Sequence, residues 1–405
     1  MPDQNEQGFH AIVAGTGPAG LIAALALARA GLSVALVGPP ANRSDRRTTA
    51  LMVPALAELE RLDVIERLLP SAAPLRAMRI IDATDRLIRS PTVTFHASEI
   101  GEPHFGLNIP NAALNGALED AVAANNAIRR YVSLVDSWTI GPDLATATLQ
   151  DGTTVAAPLA VAADGRNSPT REAAGIRTLA RGQRQAALAL AFTHERSHGF
   201  ISTEFHTPSG PFTQVPLAGN RSSLVWVVEP AEAERLTALD TAALSRAVEA
   251  RMDSMLGKVE VEPGVQVYPL SASLPVRFGR NRVALVGEAA HVFPPIGAQG
   301  LNLGIRDVAQ LVDIVRRHAD DPGNPAALAA YDAARRPDVL ARTGAVSLLN
   351  RSLLSDFLPA QIARSAGLAA LGAFGPLRGF FMREGLSPGS GLRALASTVR
   401  EQIRR

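Results

Sequence analysis

The chain opens with a short apolar run, residues 9–14, which reads as a buried strand. A glycine turn follows. Residues 18–30 are then rich in alanine and leucine, and residues 33–37 form a second apolar run. Strand, turn, helix and strand in that order predict a βαβ opening. The stretch Ala11 to Gly38 is apolar enough to imitate a membrane span, but glycines, Pro18 and Arg29 interrupt it. Two short helical stretches are expected over 51–69, strands and loops over 76–110, and a helix over 111–124. Strands continue to Val161, and Asp151-Gly152 between LATATLQ and TTV predicts a hairpin turn. Alternation over 183–229 predicts a separate sheet layer, and 231–256 is helical. Val283 to Val286 is a further buried strand. From Gln299 onward the pattern is helical, with breaks expected at Pro337, Pro359, Pro376 and Pro388. This order predicts an α/β protein: a nucleotide-type domain begins, is interrupted by a sheet insert, resumes, and ends in a helical tail.

Composition removes several function classes. With no cysteine, disulfides, thiolate metal sites and cysteine nucleophiles are excluded. His194, His198 and His206 in the sheet insert lack metal-ligand spacing, so no metal is expected. The net charge of +2 gives no case for nucleic acid. No Ser/His/Asp arrangement or close carboxylate pair points to hydrolysis. Residues 1–8 are polar and acidic, unlike a signal peptide, and a cytoplasmic location is expected.

Three motifs carry chemistry. Gly15-Thr16-Gly17-Pro18-Ala19-Gly20 follows a strand and opens a helix, the context a dinucleotide-binding turn needs. Gly15 permits the turn, Gly17 lets a diphosphate approach, and Gly20 lets helix and strand pack. The helix N-terminus, from Pro18 and Ala19, offers N–H groups to phosphates. Gly38 stands where an acid usually holds the ribose. The second motif, Asp164-Gly165-Arg166-Asn167-Ser168-Pro169, follows the apolar PLAVAA; on its own it also fits a surface turn with Ser168 as N-cap. The third runs from Val283 to Gly304. It holds a strand, Gly287 and Glu288 at a turn, His291, the proline- and glycine-rich loop with Pro295 and Gly297, and a helix opening at Gly300, Leu301 and Asn302.

Together these motifs resemble those of the class A flavoprotein monooxygenases, typified by para-hydroxybenzoate hydroxylase. The loop HVFPPIGAQGLNLGIRDV is closer still to the ubiquinone-biosynthesis hydroxylases of the UbiH/UbiF type, as are LLNRSLLSDFLP and MREGL. The resemblance implies a Rossmann-type FAD-binding domain with an inserted β-sheet substrate domain and a helical C-terminal tail. It divides the chain into FAD-binding parts at 1–75, 111–182 and 276–345, substrate-domain parts at 76–110 and 183–275, and a tail at 346–405. It implies that Gly15, Gly17 and Gly20 bind the FAD diphosphate and that Arg47 lies near the flavin. Asp164 and Gly165 serve FAD and NAD(P)H, Gly287 and Glu288 the ribityl chain, and Pro295 and Gly297 to Asn302, including Gly300 and Leu301, flank the flavin ring. His291 beside the loop is a candidate proton relay or loop-positioning residue. Gln214, Pro216 and Trp226 are candidates to line the substrate cavity, with a core role the alternative for Trp226. Glu288 in place of Asp, and Asn111 in place of an FAD-contacting Arg, are departures.

The activity implied is hydroxylation of a polyprenylated phenol in ubiquinone biosynthesis, through a flavin C4a-hydroperoxide formed from O2 with NAD(P)H or another reductant. The alternatives are hydroxylation of a small soluble phenol, and a non-catalytic subunit of a quinone-synthesis assembly. Arg364 to Arg405 holds seven arginines against two glutamates, a net +5, larger than the charge of the whole chain. With Leu368, Leu371, Phe374, Leu377 and Phe381 at helical spacing, this tail is either a helical cover or a contact for the inner face of a membrane or a lipid-carrying partner.

Overall fold

The first apolar run forms β1 (Ala11–Ala14), buried at the middle of a six-stranded sheet. Its parallel neighbours are β2 (Val34–Val37) and β12 (Leu159–Ala162), with Ala11 beside both Val34 and Leu159. β8 (Ile128–Tyr131) lies beyond β2; β20 (Val283–Leu285) and the antiparallel edge β19 (Gly279–Arg280) lie beyond β12. Strands covered on both faces read as unbroken apolar runs, as AIVA, VALV and LAVA do. One face, with Ala11 and Val13, meets α1 (Pro18–Arg29), α3 (Asn111–Ala123) and α7 (Gln299–Arg317). The other, with Ile12 and Ala35, is covered by a meander of β9 (Val135–Ile140), β10 (Ala145–Leu149) and β11 (Thr154–Ala157). Asp151-Gly152 closes the β10–β11 hairpin, with Gly152 at φ +84°. This computed structural model describes residues 8–84, 89–293, 299–354, 366, 367, 369–371 and 373–386.

The insert is an eight-stranded sheet. Its order is β17 (Val259–Val261), β13 (Thr178–His194), β16 (Arg221–Val228), β15 (Gly210–Pro216), β14 (Ile201–Thr207), β5 (Ala77–Asp82) and β6 (Val93–His96), with β18 (Gln266–Pro275) paired to β13. Helices α5 (Pro230–Thr237) and α6 (Thr241–Arg251) bury one of its faces through Leu236, Leu244 and Val248. β3 (Thr48–Met52), β7 (Gly106–Pro110) and β4 (Ala73–Pro74) form a small sheet that joins the two domains. Leu51 and Ile109 sit in the nucleotide-domain core, while Thr48 Oγ1 donates to Ser223 Oγ at 2.8 Å and Asn108 Nδ2 to the Pro216 carbonyl at 2.8 Å. Of the strands expected in 76–110, β5 and β6 therefore join the insert and β7 joins this bridge. β13 starts five residues before the expected boundary at 183 and crosses it as one strand.

The break expected at Pro337 does not occur. Helix α8 (Pro325–Leu354) passes through it. Side-chain bonds pin the helix just before the proline: Arg335 Nε donates to Asp307 at 2.8 Å, and Arg336 Nη2 donates to the Val276 carbonyl at 2.7 Å. These hold the turn in place where proline lacks its own N–H. Pro359 and Pro388 lie outside the described residues. Pro376 sits in the first turn of the last helix among the described residues, Gly375–Leu386, which lays Met382 and Leu386 against Ile100 and Phe105.

Candidate functional site

The three sequence motifs converge at the carboxyl ends of β1, β12 and β20, the edge of an open α/β sheet where ligands bind. A Cβ on Gly15 (φ +111°) would collide with the Ala163 carbonyl, and one on Gly20 with the Gly15 carbonyl. Those two glycines are required by the protein itself. Gly17 is not: a Cβ there would have no neighbour within 4 Å. It is also the N-cap of α1, and no side chain caps that helix. The first turn of α1 thus keeps its N–H groups for a ligand, and the open space at Gly17 is a cradle for an anion. These residues fit the diphosphate of FAD.

The other two motifs close on this turn. The Asp164 N–H would lie 2.8 Å from a Cβ on Gly15. One carboxylate oxygen of Asp164 accepts from the Thr170 N–H at 3.0 Å and hydroxyl at 2.6 Å; the other is buried without a partner among the described residues. An unpaired buried acceptor costs about 1–3 kcal/mol, and a ligand hydroxyl would satisfy it. The surface-turn alternative also contributes, since Ser168 Oγ caps α4 (Pro169–Ala173) by accepting from the Arg171 N–H at 2.9 Å. Gly165 is left-handed at φ +87°. A Cβ on Gly287 (φ +61°) would lie 2.8 Å from Ala19 Cβ of α1, and one on Gly304 of α7 would lie 3.1 Å from the Gly287 Cα. Glu288 points outward, more than half exposed, 3.5 Å from Arg166 Nε.

Behind Gly287 lies a buried ionic cluster. Asp307 Oδ2 accepts from the Gly287 N–H at 3.0 Å and meets His291 Nε2 at 2.7 Å. Its Oδ1 accepts from Arg335 Nε at 2.8 Å, and Arg335 Nη1 reaches Asp338 at 2.8 Å. His291 and Asp307 are wholly buried. His291 stacks on Phe293 with centroids 5.2 Å apart, and its Nδ1 has no partner among the described residues. Burial opposes the charge on Arg335, but Asp307, Tyr331 and Asp338 together outweigh it and raise its pKa. Tyr331, buried and bonded through its hydroxyl to the Leu285 carbonyl at 2.7 Å, is pushed well above its ordinary pKa by burial and by Asp307. His291 is thereby fixed between Asp307 and Phe293. Asp307 and Arg335 were missed in the sequence. The signal for Asp307 was a charge within the apolar stripe of Leu303, Ile305, Val308 and Leu311.

The remaining candidates divide. Arg47 forms a fork with Asp45 at 2.9 and 2.6 Å and lies 5.3 Å over the Tyr268 ring. Burial works to raise the Asp45 pKa, but bonds from Arg47 and Asn111 outweigh it and hold it below the ordinary carboxylate value. Asn111 thus has work of its own: its Nδ2 donates to Asp45 at 3.0 Å, and its Oδ1 accepts from Thr49 at 2.6 Å. The absence of an acid at 38 also has a cause. A Cβ on Gly38 (φ +151°) would lie 2.8 Å from the Thr16 side chain, whose hydroxyl bonds the Pro39 carbonyl. Asn302 ties α7 to β3, donating to the Ala50 carbonyl at 2.8 Å and accepting from the Met52 N–H at 2.9 Å. Leu301 packs on the core, and Gly300 is exposed. Pro295 and Gly297 lie outside the described residues.

Gln214 and Trp226 are not brought to this cradle. Trp226 is packed with Phe212 and α6 on the helix-covered face, and Gln214 on the same face donates to Ser222 at 2.8 Å. Strand parity is the reason. The face turned to the bridging sheet carries Ser223, one residue out of step with Ser222 and Trp226. Pro216 sits at the end of β15, with its carbonyl bonded to Asn108. Among the described residues no helix is long and apolar enough to cross a membrane, and no three His, Asp or Glu could share a metal ion.

Comparison with known proteins agrees with this geometry. Residues 9–343 match the family described as FAD binding domain. The chain is 34% identical over 395 residues to a ubiquinone hydroxylase, UbiL, of Rhodospirillum rubrum, covering 93% of this chain and 89% of that one. It is 28% identical over 378 residues to the 3-demethoxyubiquinol 3-hydroxylase of Escherichia coli, covering 90% and 95%. The p-nitrophenol 4-monooxygenase PnpA of Pseudomonas putida shares the fold, with TM-score 0.76 at 19% identity over 95% of this chain and 98% of that one. So does Klebsiella pneumoniae HpxO complexed with FAD and uric acid, with TM-score 0.72 at 19% identity over 94% and 96%.

Proposed function

This chain belongs to the FAD binding domain family, and on that premise we propose that it is an FAD-dependent monooxygenase that hydroxylates the aromatic ring of a polyprenylated phenol in ubiquinone biosynthesis. The observation that carries the cofactor is the open cradle at Gly17 beside two glycines that the fold itself requires. The substrate class rests on the two hydroxylases matched over nearly the whole chain. Bound FAD supplies the redox chemistry, passing electrons from NAD(P)H to O2 so that one oxygen atom enters the ring and the other leaves as water.

The chain's own residues bind and orient. The first turn of α1 holds the diphosphate, and the free Asp164 oxygen accepts from a cofactor hydroxyl. Gly287 and Glu288 serve the ribityl chain, and the N-terminal end of α7, with Gly300 to Asn302, faces the flavin ring where negative charge develops on reduction. Pro295 and Gly297 complete that loop in this reading. Asp307 fixes His291 behind it. Arg47, held by Asp45 against Tyr268, spans from the nucleotide domain to the insert beside the site. The tail engages the membrane or a lipid carrier, where a prenylated phenol resides, and the protein works peripherally at the cytoplasmic face.

The test is the FAD-loaded protein with NAD(P)H, isotopically labelled O2 and a short-chain prenylated phenol. The expected product carries one labelled oxygen on the ring. NAD(P)H consumption without ring product, or turnover of small soluble phenols alone, would remove the substrate assignment. Failure to bind FAD would favour a non-catalytic subunit.

A further inference from the structure

The last helix, Gly375–Leu386, has two different stripes. The inner one docks: Met382 is buried with Ala97, Ile100 and Phe105, and Arg378 Nε donates to Glu99 at 2.6 Å. The outer one is apolar and bare. Phe374 at its N-cap, Leu377 and Phe381 are 62%, 40% and 53% exposed. They recur at spacings of three and four, so they share one side. Exposed aromatic and aliphatic side chains on one side of a helix, in a segment of net charge +5, suit an anionic lipid surface.

The same helix is wired to the flavin turn. Its end is held by Arg306, whose Nη2 donates to the Leu386 carbonyl at 2.7 Å. Arg306 Nη1 lies 3.5 Å from Asp338 Oδ1, and Asp338 Oδ2 holds Arg335 at 2.8 Å. Arg335 holds Asp307, and Asp307 holds the Gly287 N–H and His291. Every link from Leu386 to Gly287 is thus a direct polar contact, and its middle members are largely buried. A change in the seat of the helix moves Arg306, and Arg306 shares its carboxylate partner with the residue that orients Asp307.

From this juxtaposition we infer that the last helix docks on anionic lipid through Phe374, Leu377 and Phe381 and transmits docking to the flavin site through Arg306, Asp338, Arg335 and Asp307. The inference deepens the reading of a prenylated substrate, which would be met at such a surface. Lipid docking strengthens the hold on FAD, because it favours the seated helix, whose bonds set the Gly287 turn. By linkage, FAD tightens lipid binding by the same factor.

The experiment uses the full chain and vesicles of phosphatidylglycerol and phosphatidylcholine, with pure phosphatidylcholine as control. Vesicle binding is read by co-sedimentation and FAD dissociation by flavin fluorescence. In the wild type, anionic vesicles bind and lower the FAD Kd by about fivefold or more, the scale of an allosteric coupling. The triple substitution F374S/L377S/F381S abolishes vesicle binding and leaves the FAD Kd without vesicles unchanged. Arg306→Gln still binds vesicles but loses the shift. Asp338→Asn breaks the next link and serves if Arg306→Gln does not fold. No vesicle binding by the wild type overturns the docking surface. Binding without a shift in FAD Kd, or a shift that survives both link variants, overturns the transmission. Ring hydroxylation of a short-chain prenylated phenol, measured without vesicles, separates these failures from failure of the substrate reading.

Discussion

Replacing Asp307 by Asn removes one charge and one acceptor from a site that uses both carboxylate oxygens. Oδ2 serves the Gly287 N–H at 3.0 Å and His291 at 2.7 Å, and Oδ1 serves Arg335 at 2.8 Å. An amide of the same shape keeps one carbonyl. Its NH2 must then face either the guanidinium or the pair formed by the Gly287 N–H and His291. In the first case Arg335, with 4% of its side chain exposed, loses the carboxylate that offsets its burial. Breaking a buried pair in this way costs about 3–5 kcal/mol. In the second case a donor is set against the Gly287 N–H, and an unsatisfied buried group costs about 1–3 kcal/mol. Asp338 remains as a partner for Arg335, so the expected loss is at the lower end of the first range, about 3 kcal/mol.

The cost should also divide in a telling way. Gly287 lies so close to α1 that a Cβ on it would collide with Ala19, so displacing this turn disturbs the N-terminal turn of α1 as well as stability. Asp307→Asn is expected to lower the urea midpoint and, in the fraction still folded, to raise the FAD Kd about tenfold or more, equal to about 1.4 kcal/mol. Leu244→Ala in the core of the insert should lower stability by about 2–5 kcal/mol with no change in FAD Kd. Chemical denaturation and flavin-fluorescence titration on both variants decide the matter. An Asp307→Asn protein less than about 1 kcal/mol weaker with wild-type FAD affinity would refute the positioning role.

Gly17→Val should fold with a normal circular dichroism spectrum yet fail to retain FAD, whereas Gly20→Val should lose soluble fold; FAD binding by Gly17→Val would remove the cradle. Glu288→Ala should raise the FAD Kd about tenfold or more, for loss of a charge-assisted bond, while Asp151→Ala at the hairpin leaves it unchanged; equal titrations would contradict the assignment. Asp45 has a folded pKa below the ordinary value, so its contribution is full above about pH 4 and is lost as pH falls through the lower folded value. Urea midpoints between pH 3 and 6 should therefore fall more steeply at the acid end for the wild type than for Asp45→Asn, and parallel curves would deny the clasp.

The parts of the fold that could be read directly are those in which one physical rule acts alone. Strands buried on both faces must be apolar throughout, so AIVA, VALV and LAVA could be placed, and a turn residue such as Gly152 marks its hairpin. Pro337 could not be read. Proline weighs against a helix locally, and the forces that carry α8 through it come from Asp307 and Val276, remote in sequence. Likewise β7 reads as a strand from its own residues, but only its partners, β3 and β4, show that it belongs to the bridge.

The site shows the same division. Gly15, Gly17 and Gly20 fall within six residues between a strand and a helix, so this turn is visible in the sequence even though the Ala163 carbonyl that crowds Gly15 is remote. Gly38 looked like the loss of a ribose ligand, yet the Thr16 side chain occupies the space any side chain at 38 would need. The two positions form one solution that a single position cannot reveal. For Gln214 and Trp226 the alternation along β15 and β16 was legible, but alternation says only that a strand has two faces. Which face meets the flavin domain depends on where α5 and α6 pack, and the contact between Thr48 and Ser223 settles that question. Asp307 is the instructive case. Its carboxylate lies on the buried side of an otherwise apolar stripe, and such a charge must have partners. The sequence could show that partners were required. Only the fold shows that they are His291, Arg335 and the N–H of Gly287.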